Sequence, residues 1–298
     1  MSADLSFHTP TYEDAAWCIP LLKAAPSRCC EYSFANMMAW RAHFDTQVAL
    51  VDGCVVVRFG GEFLHYLAPA GQNTAQALAT LYADARAQAK PLYVFGYEQE
   101  DIERLAKEYT ISSCEEYRDE FDYLYRVEDL AQLAGREYHA KRNHIAAFSR
   151  EYAWQYEVLQ EENVAEVMRA ADVWYQQRVA SFGDADGALL AENEAIHELL
   201  AHREAVELSG GLIRVNGEVV AFTFGAPLTN DTYDTLVEKA LVGYEKAYAV
   251  INREFARHTI AAYTYVNREN DVGAEGLRRA KLSYHPVALV KKILCTME

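Results

Sequence analysis

Apolar and polar positions change period along this chain, and the changes mark out recurring blocks. In "SFANMMAWRAHF" at 33–44, Phe34, Met37, Met38 and Phe44 recur at helical spacing, after a shorter helical entry around 12–24. In "QVALVDGCVVVRFGGEFLHYLAPAG", apolar runs break at Asp52-Gly53 and Gly60-Gly61, which predicts a three-strand meander. A helix over about 72–89, the strand "PLYVFGY", a helix over about 98–108 and the strand "EFDYLYRV" follow. From Ala134 the rhythm restarts with a helix through "YHAKRNHIAAFSREY", the strand "AWQYEVL" and a long helix over about 161–181. "GLIRVNGEVVAFTFGAPLTNDTYDTLVEKAL" carries turn residues at Asn216-Gly217 and Thr229-Asn230-Asp231 between alternating runs, so three more antiparallel strands are expected. A helix over about 243–258, the strand "AAYTYV", a helix over about 273–282 and a strand near 287–294 complete the pattern.

Both halves thus run helix, meander, helix, strand, helix, strand. That order predicts an α+β layer architecture duplicated in tandem, divided as 1–133 and 134–298.

Composition narrows the setting. The chain has 298 residues, 51% of them apolar, enough for a large core. Its longest apolar runs, such as "CVVV" at 54–57, fall far short of the roughly 18–20 residues of a membrane span. "MSADLSFHTPTYEDAAW" has no basic-then-apolar pattern, so no leader is expected and the cytoplasm is the default location. Six scattered cysteines without a CxxC pair predict reduced thiols and no metal site. The net charge of -16 argues against a generally basic surface for nucleic acid, although a local patch can still hold phosphate. Twenty tyrosines suit clefts that need an apolar ring with a polar tip.

Several familiar motifs fail on spacing or are missing. "HELLAH" at 197–202 sets His197 and His202 five apart, whereas a zinc-protease helix needs histidines four apart on one face. There is no GxGxxG, no GxxxxGK[ST] and no GxSxG. "DADG" at 184–187 lacks the calcium-loop glutamate, position 195 being Ala, and reads as a turn.

Three polar constellations remain. In 136–150, Arg136, Lys141, Arg142 and Arg150 face a single Glu137; on a helix Lys141 and His144 share one face, and Tyr138 and Arg142 another, which suits an anion. In 234–255, a strand ending in Glu238 and Lys239 turns at Gly243 into a helix beginning near Tyr244, placing charges and backbone N–H groups together. In 263–287, Asn267, Arg268, Glu269 and Asp271 lead into a helix with Arg278, Arg279 and Lys281, beside Tyr284 and His285. Residues 276–292 hold five basic residues and no acid, which reads as a phosphate cradle. The competing reading of each constellation is a solvated face or a surface ion pair.

"CCEYSFANMMAW", "YHAKRNHIAAF", "EKAL…YAVINREF" and "VNRENDVGAEGLRRAKLSYHPV" resemble the bacterial family related to the C-terminal domain of phosphatidylglycerol lysyltransferases, long catalogued as a domain of unknown function (DUF2156). The resemblance spans essentially the whole chain. It implies tandem GNAT-like (acyl-CoA N-acyltransferase) domains with mixed, mainly antiparallel sheets, as in Fem-type enzymes that move aminoacyl groups from tRNA. Two departures stand out. Where an acetyl-CoA-using GNAT has a [QR]xxGx[GA] loop, this chain has "LVGYEKAYAV", with one glycine and the bulky Tyr244 and Tyr248. That disfavours a CoA pyrophosphate seat and favours a charged tRNA end, another activated acyl donor, or none. The chain also lacks a membrane region, so any lipid headgroup would be modified peripherally.

These readings lead to an expected aminoacyl- or acyltransferase that moves an activated acyl group, from aminoacyl-tRNA or acyl-CoA, to an amine or hydroxyl acceptor on a small molecule, peptide or lipid headgroup. The active site is expected in 134–298. Lys141, Arg142, Arg278 and Lys281 are assigned to donor phosphates, and Glu238 to the acceptor as a general base through water. Asn267 is assigned to polarising the carbonyl or orienting the acceptor, and Tyr284 to protonating the leaving group. Tyr138, His144, Lys239, Tyr244, Tyr248, Arg268 and His285 complete the expected donor site, with no metal and no resident cofactor. A CoA-dependent N-acetyltransferase and a non-catalytic binder of a phosphorylated ligand are the alternatives.

Overall fold

Alternating apolar runs separated by turn residues become the antiparallel meanders of this chain. The structure, a computed structural model, describes residues 5–25, 27–60, 64–185 and 187–298. Gly61 of the predicted Gly60-Gly61 turn, Asp186 of "DADG" and the first four residues of the N-terminal segment lie outside them. After helices α1 (Ala15–Leu22) and α2 (Phe34–Trp40), the first meander consists of β1 (Gln47–Val51), β2 (Cys54–Phe59) and β3 (His65–Leu67). β2 pairs antiparallel with β1 and with β3. The two residues between β1 and β2, Asp52 and Gly53, both have positive φ, the conformation that a tight hairpin demands and that an Asp-Gly pair tolerates. The short β4 (Ala70–Gly71), α3 (Thr74–Ala87), β5 (Leu92–Phe95), α4 (Gln99–Leu105) and β6 (Ile111–Glu116) follow.

Next come β7 (Asp122–Arg126), α5 (Val127–Gln132), α6 (His139–Glu151), β8 (Trp154–Val158), α7 (Glu161–Phe182) and α8 (Ala188–Ala201). The second meander is β9 (Ser209–Val215), β10 (Glu218–Pro227) and β11 (Thr232–Ala240), and it is followed by α9 (Ala247–His258), β12 (Tyr265–Asn267), α10 (Glu275–Leu282), β13 (Ala288–Val290) and β14 (Ile293–Met297). Among the described residues the strands form two seven-stranded sheets, one in the order β1-β2-β3-β5-β14-β6 with β4 on β2, the other β13-β7-β12-β11-β10-β9-β8. Most pairings are antiparallel, while β3–β5 and β11–β12 are parallel, so both sheets are mixed.

The chain divides into two compact units, but not by a single cut. One comprises Met1–Tyr123, Glu269–Arg278 and Leu289–Glu298, the other Leu124–Arg268 and Arg279–Ala288. The expected division at 133/134 is therefore corrected: β14, the last strand, pairs with β5 and β6 and completes the first sheet. The strand predicted near 287–294 is in fact two, β13 and β14, and β6 was not anticipated because "ISSCEE" leaves five of its six residues exposed. Among the described residues no helix is long and apolar enough to cross a membrane.

In the first unit, Val56, Leu78, Leu81, Leu92, Val94 and Met297 pack one core. In the second, Phe222 and Phe224 lie 6.4 Å apart and Tyr233 meets Phe255 edge-on at 5.7 Å. Burying each such ring contributes about 1.5–3 kcal/mol. Gly225 answers a close approach: a β-carbon there would sit 1.8 Å from the Asp234 carbonyl oxygen, where β10 bulges against β11.

The segment Glu269–Arg278 is tied down within the first unit by the fully buried Asp271. Arg278 donates to Asp271 at 2.8 and 2.9 Å, Gly273 N–H donates at 3.0 Å, and the Tyr123 hydroxyl donates as well. The Arg278 guanidinium, acting against burial and helped by Tyr123 and Gly273, holds the Asp271 carboxyl well below the usual carboxylate range. A folded-state pKa below the unfolded one contributes stability that is present above pH of about 4 and lost as pH falls toward the folded value. Asp271→Asn is expected to lower Tm at neutral pH by about 5 °C or more. Thermal denaturation across pH should show the gap from wild type closing under acid, and a gap that does not vary with pH would contradict the assignment.

Candidate functional site

Burying an arginine requires an acceptor for its charge, and in the second unit that requirement organises a polar cluster. Arg268 follows β12 with its side chain only 10% exposed, and its Nη2 donates to Glu238 Oε1 on β11 at 2.7 Å. Glu238 Oε2 accepts from Asn252 Nδ2 on α9 at 3.1 Å. The Arg268 guanidinium carbon lies 4.9 Å from the centre of the Tyr284 ring and 5.5 Å from that of Tyr125. From α6, Lys141 places Nζ 3.6 Å from the centre of the Tyr284 ring. Burial, then the Arg268 charge, depress the Lys141 pKa to about 8, with Glu238 pulling the other way. Burial drives the Tyr284 phenol up, against Arg268 and with Glu238.

Two buried atoms of the cluster, Arg268 Nη1 and Asn252 Oδ1, have no hydrogen-bond partner among the described residues. One is a charged donor and the other an acceptor. They flank Glu238, whose own two oxygens are both engaged. A carboxylate so held fixes the position of Arg268.

The other predicted residues fall into supporting roles or elsewhere. Tyr138 donates to the Tyr284 carbonyl at 3.1 Å and meets the His285 ring edge-on at 5.3 Å, and His285 itself adopts positive φ. Tyr125 donates to the Lys281 carbonyl at 2.8 Å, and Lys281 Nζ donates to the Arg268 carbonyl at 2.6 Å. Arg142 donates to the carbonyls of Leu133 and Gly135, capping a loop, and His144 is exposed on α6. Asn267 is fully buried on β12, in register with Asp234. Glu238 and Lys239 cannot share a site, because successive strand residues point to opposite faces. Lys239 pairs with Glu192 at 2.6 Å and lies 4.0 Å from the Trp174 ring centre.

The phosphate cradle expected over 276–292 is corrected. Arg278 belongs to the first unit and pairs with Asp271 and Asp119, the latter at 2.6 Å. Lys291 pairs with Glu116 at 2.6 Å, and Lys292 with Glu31 and Asp122 at 2.5 and 3.1 Å. Acids missing from the local sequence are supplied by distant segments. The amides at the β11–α9 turn are also engaged: Val242 N–H donates to Gln177 Oε1 at 2.8 Å and Gly243 N–H to Glu245 Oε1 at 3.0 Å. The Tyr244 ring lies 5.1 Å from that of Tyr152, tilted by 44°, and burial pushes the Tyr248 phenol up. Of the decoys, His197 bonds Asp172 at 2.8 Å, and Asp184 accepts from the amides of Leu189 and Leu190.

Asn252 and Tyr125 were not singled out from sequence. A polar residue on the buried face of α9, among Ala249, Val250, Ile251 and Phe255, was the available signal for Asn252. Tyr125 lies in an ordinary aromatic strand that offered none.

Compared with known proteins, residues 23–296 match the family described as "Phosphatidylglycerol lysyltransferase, C-terminal". A conserved protein of unknown function from Bacteroides thetaiotaomicron VPI-5482 is 34% identical, with a TM-score of 0.89 over 99% of this chain and 100% of that one. L-PGS from Bacillus licheniformis is 13% identical, with a TM-score of 0.65 over 96% and 92% of the two chains. FemX is 11% identical, with a TM-score of 0.50 over 98% and 97%. A search of curated proteins gave no match. The architecture is the expected α+β one, two compact units with mixed, mainly antiparallel sheets.

An amine-reactive reagent is expected to label Lys141 with a half-maximal rate near pH 8, whereas an ordinary exposed lysine titrates near pH of about 10.4. Peptide mapping of the labelled protein reads the profile, and a Lys141 profile with its midpoint near that of exposed lysines would contradict the described environment.

Proposed function

The chain belongs to the phosphatidylglycerol lysyltransferase C-terminal family, and on that premise we propose that it is an acyltransferase that accepts an aminoacyl group from aminoacyl-tRNA and passes it to an amine or hydroxyl acceptor. The observation that carries this reading is the spare donor, Arg268 Nη1, held by Glu238 beside a lysine whose pKa is about 8. An aminoacyl ester offers a carbonyl oxygen that such a donor can bind, and that oxygen gains negative charge as the carbonyl is attacked. The acceptor's nitrogen or oxygen bonds to the carbonyl carbon, the ester C–O bond breaks, and the leaving ribose oxygen ends with a proton. Lys141, neutral in a substantial fraction near pH 8, takes the acceptor's proton. Asn252 Oδ1 is the acceptor on offer to the aminoacyl ammonium. Tyr284 contributes a ring face and a phenol that stays protonated.

The β11–α9 turn weighs against CoA. The Gly243 amide, where a pyrophosphate would be expected to sit, is taken by the Glu245 carboxylate, whose negative charge repels phosphate. Basic groups over 276–292 are largely consumed by internal ion pairs, so any tRNA contact is local and confined to the acceptor end.

Binding of fluorescent charged and uncharged tRNA at low and moderate salt tests the proposal. Wild type is expected to prefer charged tRNA, and Arg268→Gln and Lys141→Ala each to lose about tenfold or more in affinity for it. Calorimetric titration with acetyl-CoA should give no saturable heat. Equal binding of the two tRNAs, or saturable acetyl-CoA binding, would overturn it.

A further inference from the structure

The six cysteines are all free, and Cys114 alone among them is exposed. Cys18, Cys29, Cys30 and Cys54 are buried, and burial pushes each of these thiols up, which keeps them protonated and unreactive. Cys114 lies in β6, the edge strand of the first sheet, and the buried Cys295 lies opposite it in β14. The two are 181 positions apart in sequence, yet their Sγ atoms are 2.7 Å apart, one thiol donating to the other sulfur. Their place in the ladder favours a bond. Just beyond the strands Tyr117 N–H donates to the Lys292 carbonyl at 3.1 Å. Bonded and non-bonded pairs alternate along an antiparallel ladder, so counting inward from Tyr117 and Lys292 makes Cys114 and Cys295 a non-bonded pair. Such pairs hold their Cα atoms about 4.5 Å apart with the side chains close, inside the window of about 4.4–6.8 Å that a disulfide spans.

We propose that Cys114 and Cys295 are a redox pair that hydrogen peroxide converts to a cross-strand disulfide, locking β6 to β14, and that a thiol reductant reopens. Cys114 loses its proton and its sulfur attacks one peroxide oxygen. The S–O bond forms, the O–O bond breaks, and the departing hydroxide takes up that proton as water, leaving a sulfenic acid. The Cys295 sulfur then attacks the Cys114 sulfur. The S–S bond forms, the S–O bond breaks, and the hydroxide leaves with the Cys295 proton as a second water. Two thiols give up two electrons and one peroxide is reduced to two waters. Burial, with the Cys114 contact adding to it, pushes the Cys295 thiol up, so the exposed Cys114 reacts first and Cys295 resolves. The lock acts where the sheet is weakest. Among the described residues β6 pairs with β14 alone, and five of its six residues are exposed. The strand it would be tied to is anchored, because Lys292, immediately before β14, pairs with Glu31 and Asp122.

The test treats the intact protein with hydrogen peroxide, blocks the remaining thiols and maps the peptides without reduction. The peptides of Cys114 and Cys295 are expected to be linked, with Cys18, Cys29, Cys30 and Cys54 recovered as blocked thiols, and dithiothreitol should restore both partners. Amide hydrogen exchange over 111–116 should slow several-fold in the oxidised protein and recover on reduction. In Cys295→Ser, which removes the resolving sulfur, Cys114 is expected to run on to sulfinic and sulfonic acid several-fold faster than in wild type. The mapping and exchange measurements on wild type need no variant to fold. Over-oxidised Cys114 without a linked peptide, linkage of Cys114 to a different cysteine, or exchange over 111–116 that oxidation leaves unchanged would each overturn the proposal. So would a folded Cys295→Ser protein whose Cys114 over-oxidises no faster than in wild type.

Discussion

A guanidinium removed from water must be answered by a carboxylate, and the Arg268–Glu238 pair is the constraint on which the second unit's polar cluster depends. Glu238 is placed by β11 and held by Asn252 from α9, while Arg268 is placed by the end of β12, which runs parallel to β11. The parallel register of Asp234 with Asn267 fixes where the chain leaves the sheet. Lys281, donating to the Arg268 carbonyl, and Tyr138, donating to the Tyr284 carbonyl, brace the backbone around the pair. Lys141 then completes a site with two adjacent cationic groups and one anion. Its depressed pKa follows from burial beside a like charge.

Much of the fold was legible because the hairpins announce themselves. Asp52-Gly53 and Asn216-Gly217 each supply two consecutive residues of positive φ between alternating runs, and both became two-residue turns. β6 was not legible, since its polar, exposed sequence lacks the apolar alternation that marks a half-buried strand. Nor was the interleaving of the units. The pairing of β14 with β5 and β6 joins segments about two hundred residues apart in sequence, and no local pattern encodes such a pairing.

The site was legible in its charges and illegible in their partners. Glu238, Arg268, Lys141 and Tyr284 were singled out by type and spacing, and they converge. The run of five basic residues over 276–292 misled, because charge counted along a chain ignores acids brought in by folding. Asp119, Asp271, Glu116, Glu31 and Asp122 neutralise Arg278, Lys291 and Lys292. Glu238 and Lys239 were grouped as neighbours in sequence, yet strand geometry sends them to opposite faces. Local sequence reports which groups are present, and sheet geometry decides which of them meet.

Lys141, Arg268 and Glu238 act as one electrostatic unit in this account, and titration of Lys141 by NMR of the isotopically methylated lysines in two variants tests that coupling. Arg268→Gln removes a like charge and should raise the Lys141 pKa above about 8, while Glu238→Gln removes the opposing charge and should lower it. Opposite shifts are the predicted result. A Lys141 pKa that is unmoved by both substitutions, or moved in the same direction by both, would contradict the account.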